Sequence, residues 1–211
     1  MLHFNFKSRD FKKIRDYLLN YDYHIFDINR FALMIITQSG LRAGECLALK
    51  YEDIDFLHQT LRVDESWDGV HNQLKDPKTP HAKRTLPLPA KVMHLLQRWI
   101  SYHRQELFRL GIANPQHFLL LNRRGVLTTA PNINASYHQL QKHLGMEAKF
   151  STHTLRHTLA SLMIADPEIS INYISRYLGH ASVMITEQYY IGLLPEQVEE
   201  SNQQALRVIS Q

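Results

Sequence analysis

"STHTLRHTLAS", residues 151–161, has the apolar periodicity of a helix, yet it carries His153, Arg156 and His157 within five residues. Positions three and four apart share a helix face, with Cβ atoms roughly 5–6 Å apart, so the two imidazoles and the guanidinium address one patch. A guanidinium and two imidazoles turned toward one point suit an anion.

On both sides of this stretch the chain is mostly helical. "FKSRDFKKIRDYLLN" offers Ser8 as an N-cap with Phe11, Ile14 and Leu18 at helical spacing. "DINRFALMIITQSG" has Asp27 as a cap and Gly40 as a stop, and "LRAGECLALKYEDID" resumes as a short helix at an angle, with Arg42 at the joint. Between Phe56 and Leu88 the apolar period falls toward two: "TLRV" and "RTLPL" predict short strands around a polar loop with Trp67, Gly69 and Pro77. Pro89 opens a long amphipathic helix to Gly111, buried through Val92, Leu95, Leu96, Trp99, Ile100 and Leu107. "HFLLL", 117–121, suits a strand or a loop. After Pro131 the pattern predicts helices over 132–144, 152–165, 168–178, 182–191 and 196–209. The expected fold is mainly α with a small antiparallel β-sheet, an α+β arrangement of a single domain over 1–211.

The 211 residues are 44% hydrophobic and 10% aromatic, enough to bury a core. The longest apolar run, "FALMII", is far below the roughly 20 residues a bilayer requires, and no signal peptide opens the chain, so a cytoplasmic protein without membrane association is expected. The lone Cys46 cannot form an internal disulfide; Leu47 and Leu49 beside it suggest a buried thiol. Net charge is only +4, but its placement is uneven. From Lys75 to Ala160 thirteen Lys and Arg face three acids, whereas from Ser161 onward two face six. A basic middle suits a polyanion partner.

Widely separated donors share one chemistry: Arg42 in "GLRAGE", Lys78 in "DPKTPHAKRTLPL", His153 and Arg156 in "HTLRH", and His180 in "LGH", with Tyr189 nine residues further on. In that order and spacing, over roughly 8–194, they resemble the catalytic domain of the tyrosine recombinases, or phage-type integrases. The resemblance implies the DNA breaking-rejoining fold and a site-specific recombinase working through a 3′-phosphotyrosine, for integration, excision or inversion of a mobile element. Arg42 and Arg156 are then the phosphate clamp, since guanidinium forks match phosphoryl oxygens bidentately. Tyr189 is the nucleophile, with the adjacent Tyr190 as the alternative. A free phenol is only about one part in a thousand ionised at pH 7, so it needs a base, for which His153 is the candidate. The family's β-turn lysine protonates the leaving 5′-oxygen. Lys78 aligns best, with Lys75 and Lys83 flanking it. His180 contacts phosphate and nucleophile. Glu45 and His157 support from behind, and Lys75, Lys83, Arg84, Arg123 and Arg124 face DNA.

The resemblance further implies double-stranded DNA bearing a specific site as partner, no cofactor and no metal. It implies a monomer in isolation that becomes a tetramer on synapsed DNA by exchange of the 195–211 tail, in a nucleoid-associated setting. The family's usual N-terminal core-binding domain is expected to be absent. Three other functions fit parts of the pattern: a DNA-binding module of the same lineage without catalysis, a type IB topoisomerase, and a zinc hydrolase using His153 and His157. The last lacks the HExxH glutamate, the position being Thr154.

Overall fold

The computed structural model describes residues 8–76, 82–147, 149–190 and Leu206, with 188–190 described by backbone alone. Its architecture follows from one helix that is apolar all round. In α2 (Ile28–Ser39) Phe31, Ala32, Leu33, Met34, Ile35 and Ile36 are all essentially inaccessible, which requires neighbours on every side. They are α1 (Ser8–Leu19), α3 (Ala43–Ala48), α5 (Ala130–His143) and α6 (Thr152–Ile164). α1 buries Phe11, Ile14 and Leu18 as its spacing predicts. α4 (Ala90–Arg109) lies over the same core, with the Trp99 ring stacked on Phe31 at 4.2 Å between centroids.

The sheet is slightly more elaborate than the sequence suggests. β1 (Ile54–Asp55), β2 (Thr60–Val63) and β5 (Arg84–Pro87) form an antiparallel sheet in the order β1-β2-β5, and β3 (Ser66–Asp68) pairs with β4 (Gln73–Lys75) as a separate hairpin. Register pairs Leu61 with Leu86 and Val63 with Arg84, so period two puts Arg84 on the buried side with Leu86. The β3 hairpin packs on α3, and Gly44 permits it. A Cβ there would lie 2.6 Å from Ser66 Oγ and 3.0 Å from the Trp67 carbonyl oxygen.

Two short helices complete the described fold: α7 (Ile171–Leu178), capped by Ser170 through the Tyr173 amide, and α8 (Val183–Tyr190), packed on α6 and α7. α7 starts later than the apolar pattern implies because Ser170 takes the N-cap. Asp27 holds the predicted cap position of α2, but its carboxylate is drawn away to Tyr21, Arg30 and the His24 amide. "HFLLL" is a buried loop joined to its surroundings by single bridges, Lys50 to Phe118 and Leu121 to Leu127. The expected helix over 196–209 lies outside the described residues, apart from Leu206. No helix among the described residues is long and apolar enough to cross a membrane.

Tyr137, on α5, is fully buried and its hydroxyl meets no partner among the described residues. Removing an unsatisfied buried hydroxyl releases its desolvation cost, so Tyr137→Phe is expected to leave stability unchanged or raise it by up to about 1 kcal/mol. Urea unfolding checks this, and a loss larger than that would reveal a partner.

Candidate active site

Arg42 occupies the N-cap of α3, where the chain turns after Gly40 ends α2 in the left-handed conformation. Its backbone amide donates to Glu45 Oε2 at 2.9 Å, the glutamate half of a capping box, and its Nη1 donates to Glu45 Oε1 at 2.8 Å, so both ends of one arginine bind one carboxylate. The Arg42 side chain is 41% exposed, whereas that of Glu45 is 5%. Glu45 is also held from the other side: Arg84 donates through Nη2 to Oε2 at 3.1 Å and through Nη1 to Oε1 at 3.3 Å. Burial pushes the Glu45 carboxyl toward neutrality, but Arg84 and then Arg42 outweigh it and keep its pKa below the usual carboxylate range.

Arg156 sits in the second turn of α6, 5% exposed, and reaches the ends of two helices, α2 and α7, at once. Its Nη1 donates to the Gly40 carbonyl at 2.6 Å and its Nη2 to the Leu178 carbonyl at 2.5 Å. Arg42 Nη2 lies 3.5 Å from the Gly179 carbonyl, and Arg84 Nε donates to the Tyr177 carbonyl at 2.7 Å. The next residue, His180, is 5% exposed and shares a 2.8 Å hydrogen bond between Nδ1 and Thr186 Oγ1 on α8. Burial, followed by the positive charge of Arg156, Arg42 and Arg84 and by His157, pulls its pKa down to about 3. His180 is therefore a neutral ring at physiological pH. His153 stands exposed on the first turn of α6, its ring 6.4 Å from that of His157. Burial, then His153 and Arg156, lowers the pKa of half-buried His157.

The structure thus brings together Arg42, Glu45, Arg84, His153, Arg156, His157 and His180 from α3, β5, α6 and the end of α7. Tyr189 and Tyr190 end α8, beside α6, but their side chains lie outside the described residues, as does Lys78. Lys83 pairs with Asp76 at 3.2 Å across the two ends of the segment that carries Lys78. Lys75 is ion-paired with Asp68. Arg84 departs from its expected outward role. Its side chain is 6% exposed and bound to Glu45, Tyr177 and Ala82, so it faces the interior and not a DNA surface. Period two in "RTLPL", with Arg84 on the face of Leu86, was the signal for this. Arg123 and Arg124 lie near the opposite end of α2, where the Arg123 guanidinium covers the exposed Phe26 ring at 4.7 Å. A twelve-residue helix separates that end from Gly40 by about 18 Å. No pattern in the sequence marks Thr186 as the partner of His180. Cys46 is buried, its thiol pKa raised by burial and by Glu45. No cluster of three or more His, Cys, Asp or Glu suited to a metal occurs among the described residues.

The depressed His180 pKa makes stability pH-dependent. In the unfolded chain a histidine binds a proton below about pH 6.5, whereas folded His180 binds none until about pH 3. Its contribution is therefore complete above about pH 6.5 and is lost as pH falls through that window, amounting to about 2 kcal/mol at pH 5. Denaturant unfolding at pH 7 and pH 5 should show a smaller loss for His180→Gln than for the wild type. Parallel curves would contradict this.

An anion cradle of arginines around a neutral imidazole is chemistry that phosphodiester transfer uses, and comparison with known proteins points the same way. Residues 9–196 match the model of the phage integrase family. A tyrosine recombinase XerC-like protein of Caldanaerobacter subterraneus is 26% identical over 207 residues, covering 91% of this chain and 51% of the relative. The ICEBs1 integrase of Bacillus subtilis is 28% identical over 167 residues, covering 77% and 44%. The chain spans about half the length of these curated relatives. Among solved structures, the Tn1549 transposon integrase in complex with transposon right end DNA superposes with a TM-score of 0.72 at 18% identity, covering 94% of this chain and 64% of that one. XerA recombinase gives 0.69 at 24%, with the same coverage. The catalytic domain of bacteriophage HP1 integrase gives 0.52 at 16%, covering 93% and 92%. With a matching fold and a family model that runs from the first turn of α1 to beyond α8, this chain belongs to the phage integrase family.

Proposed function

We propose that the chain cleaves and rejoins DNA strands at a specific site, and that Arg42, Lys78, His153, Arg156, His180 and Tyr189 carry the reaction. The supporting observation is the convergence of Arg42, Arg156 and His180 on the end of α7, next to the helix that ends in Tyr189. In this reading Arg42 and Arg156 bind the non-bridging oxygens of the scissile phosphate and stabilise the charge that develops on them. The Tyr189 oxygen attacks phosphorus and gives its proton to His153, which acts as base or relay. The bond from phosphorus to the 5′-oxygen breaks, and Lys78 protonates that oxygen as it leaves. The products are a 3′-phosphotyrosine and a free 5′-hydroxyl; attack by a 5′-hydroxyl reverses the step. His180, neutral at working pH, offers a hydrogen bond and adds no charge. Four chains acting on two synapsed sites, each with its 195–211 tail on a neighbour, complete the proposal.

The test uses a pool of nicked duplexes of randomised sequence in EDTA, from which any denaturation-resistant protein–DNA adduct is isolated. Wild type and Tyr190→Phe are expected to form the adduct at one selected sequence, and Tyr189→Phe to form none. Adduct retained by Tyr189→Phe but lost by Tyr190→Phe would transfer the nucleophile to Tyr190. Binding without adduct would indicate a non-catalytic DNA-binding module, and adduct without sequence preference a topoisomerase.

A further inference from the structure

Three successive carbonyls at the end of α7 each face a different arginine: Tyr177 accepts from Arg84, Leu178 from Arg156, and the Gly179 carbonyl lies at hydrogen-bond range from Arg42. The last carbonyls of a helix have no partner within it and carry the negative end of its dipole, so guanidinium groups are suited to them. Two of these arginines form the proposed phosphate clamp. Arg84 is the third, and each of its guanidinium nitrogens is already bonded within the protein, to Glu45, Tyr177 or Ala82.

The bonds of Arg84 connect the proposed machinery from behind. Its Nη1 and Nη2 grip both oxygens of Glu45, the carboxylate that fixes both ends of Arg42. Nη1 also donates to the Ala82 carbonyl at 2.9 Å, which ties the guanidinium to the start of β5. Charge makes the arrangement useful. Arg42 and Glu45 alone would form a neutral pair with little attraction for an anion, whereas two guanidinia around one carboxylate leave a formal charge of +1. The exposed member is Arg42. Gly179 keeps the space open, since a Cβ there would lie 2.8 Å from Arg84 Nη1 on backbone with φ +66, where side chains are disfavoured.

We infer that Arg84 is a positioning residue for strand cleavage: it holds Glu45 against the end of α7 so that Arg42 is fixed in orientation and retains its positive charge for the scissile phosphate. This rests on the reading of the chain as a strand-cleaving recombinase. Misplacement of a clamping group by about 1 Å is enough to slow a reaction by about 100-fold while leaving binding through other contacts in place.

Arg84→Ala would strand a buried carboxylate and threaten folding, so the test uses Arg84→Lys, Glu45→Gln and the charge-balanced double variant Arg84→Met with Glu45→Gln. The probe is the nicked duplex recovered by adduct capture with the wild-type 211-residue chain. Single-turnover adduct formation by Arg84→Lys is expected to be about 10- to 100-fold slower, with the Kd for the same duplex within about twofold of wild type. The double variant is expected to be no slower than Glu45→Gln alone, because Arg84 acts through Glu45. A wild-type rate in Arg84→Lys would overturn the inference, as would rate and affinity falling together or additive losses in the double variant. Absence of adduct from the wild type would remove the cleavage reading and this inference with it.

Discussion

Glu45→Ala is expected to lower the free energy of unfolding by about 3–5 kcal/mol, the cost of leaving a buried charge without its partner, and the melting midpoint by roughly 10 °C. Glu45 carries four hydrogen bonds from two arginines, and Arg84 cannot escape to water because its side chain is buried. The bonds of Arg84 to the Tyr177 and Ala82 carbonyls survive the substitution, which places the loss toward the lower end of that range. Removal of the Arg42 partner alone would cost far less, since that guanidinium is substantially exposed and water replaces the lost contact. Urea denaturation of Glu45→Ala beside Arg42→Ala checks the ordering. A Glu45→Ala protein within about 1 kcal/mol of wild type would show that the carboxylate is not the brace the geometry indicates.

Arg156→Lys is expected to slow adduct formation by about 100- to 1000-fold, the usual effect of losing one preorganised donor to a developing oxyanion. The substitution keeps the charge but loses the planar fork that spans the Gly40 and Leu178 carbonyls and fixes the guanidinium between α2 and α7. A primary ammonium has three donors on a flexible stem and cannot reproduce that spacing. Single-turnover trapping on the captured duplex measures the effect, and a rate within tenfold of wild type would remove Arg156 from the proposed clamp.

Much of this site was legible because its residues sit in short motifs whose local geometry is nearly sequence-determined. "GLRAGE" encodes a helix stop, the start of the next helix and a glutamate that accepts from its N-cap amide in six residues, and "HTLRH" places three donors on one helix. The partners that hold these donors were not legible, because most of them are main-chain carbonyls: Gly40, Tyr177, Leu178 and Gly179 accept through atoms that every residue possesses. Arg84 was misread because a cation in a basic stretch suggests solvent, although its alternation with Leu86 indicated burial. His103 shows the same limit. It lies on the inward stripe of α4 with Nε2 2.6 Å from the Leu121 carbonyl and Nδ1 2.7 Å from the Tyr51 hydroxyl, and a pattern of apolar residues alone could not place it there.

The end of α7 has a temporal consequence. Its carbonyls meet arginines as much as 137 residues earlier in the chain, and Arg156 reaches back 116 residues to Gly40. A ribosome-bound polypeptide therefore presents its cationic middle long before the last turn that organises those cations has emerged. Until Gly179 is synthesised and docks, the growing chain has basic residues but no assembled pocket for a phosphodiester.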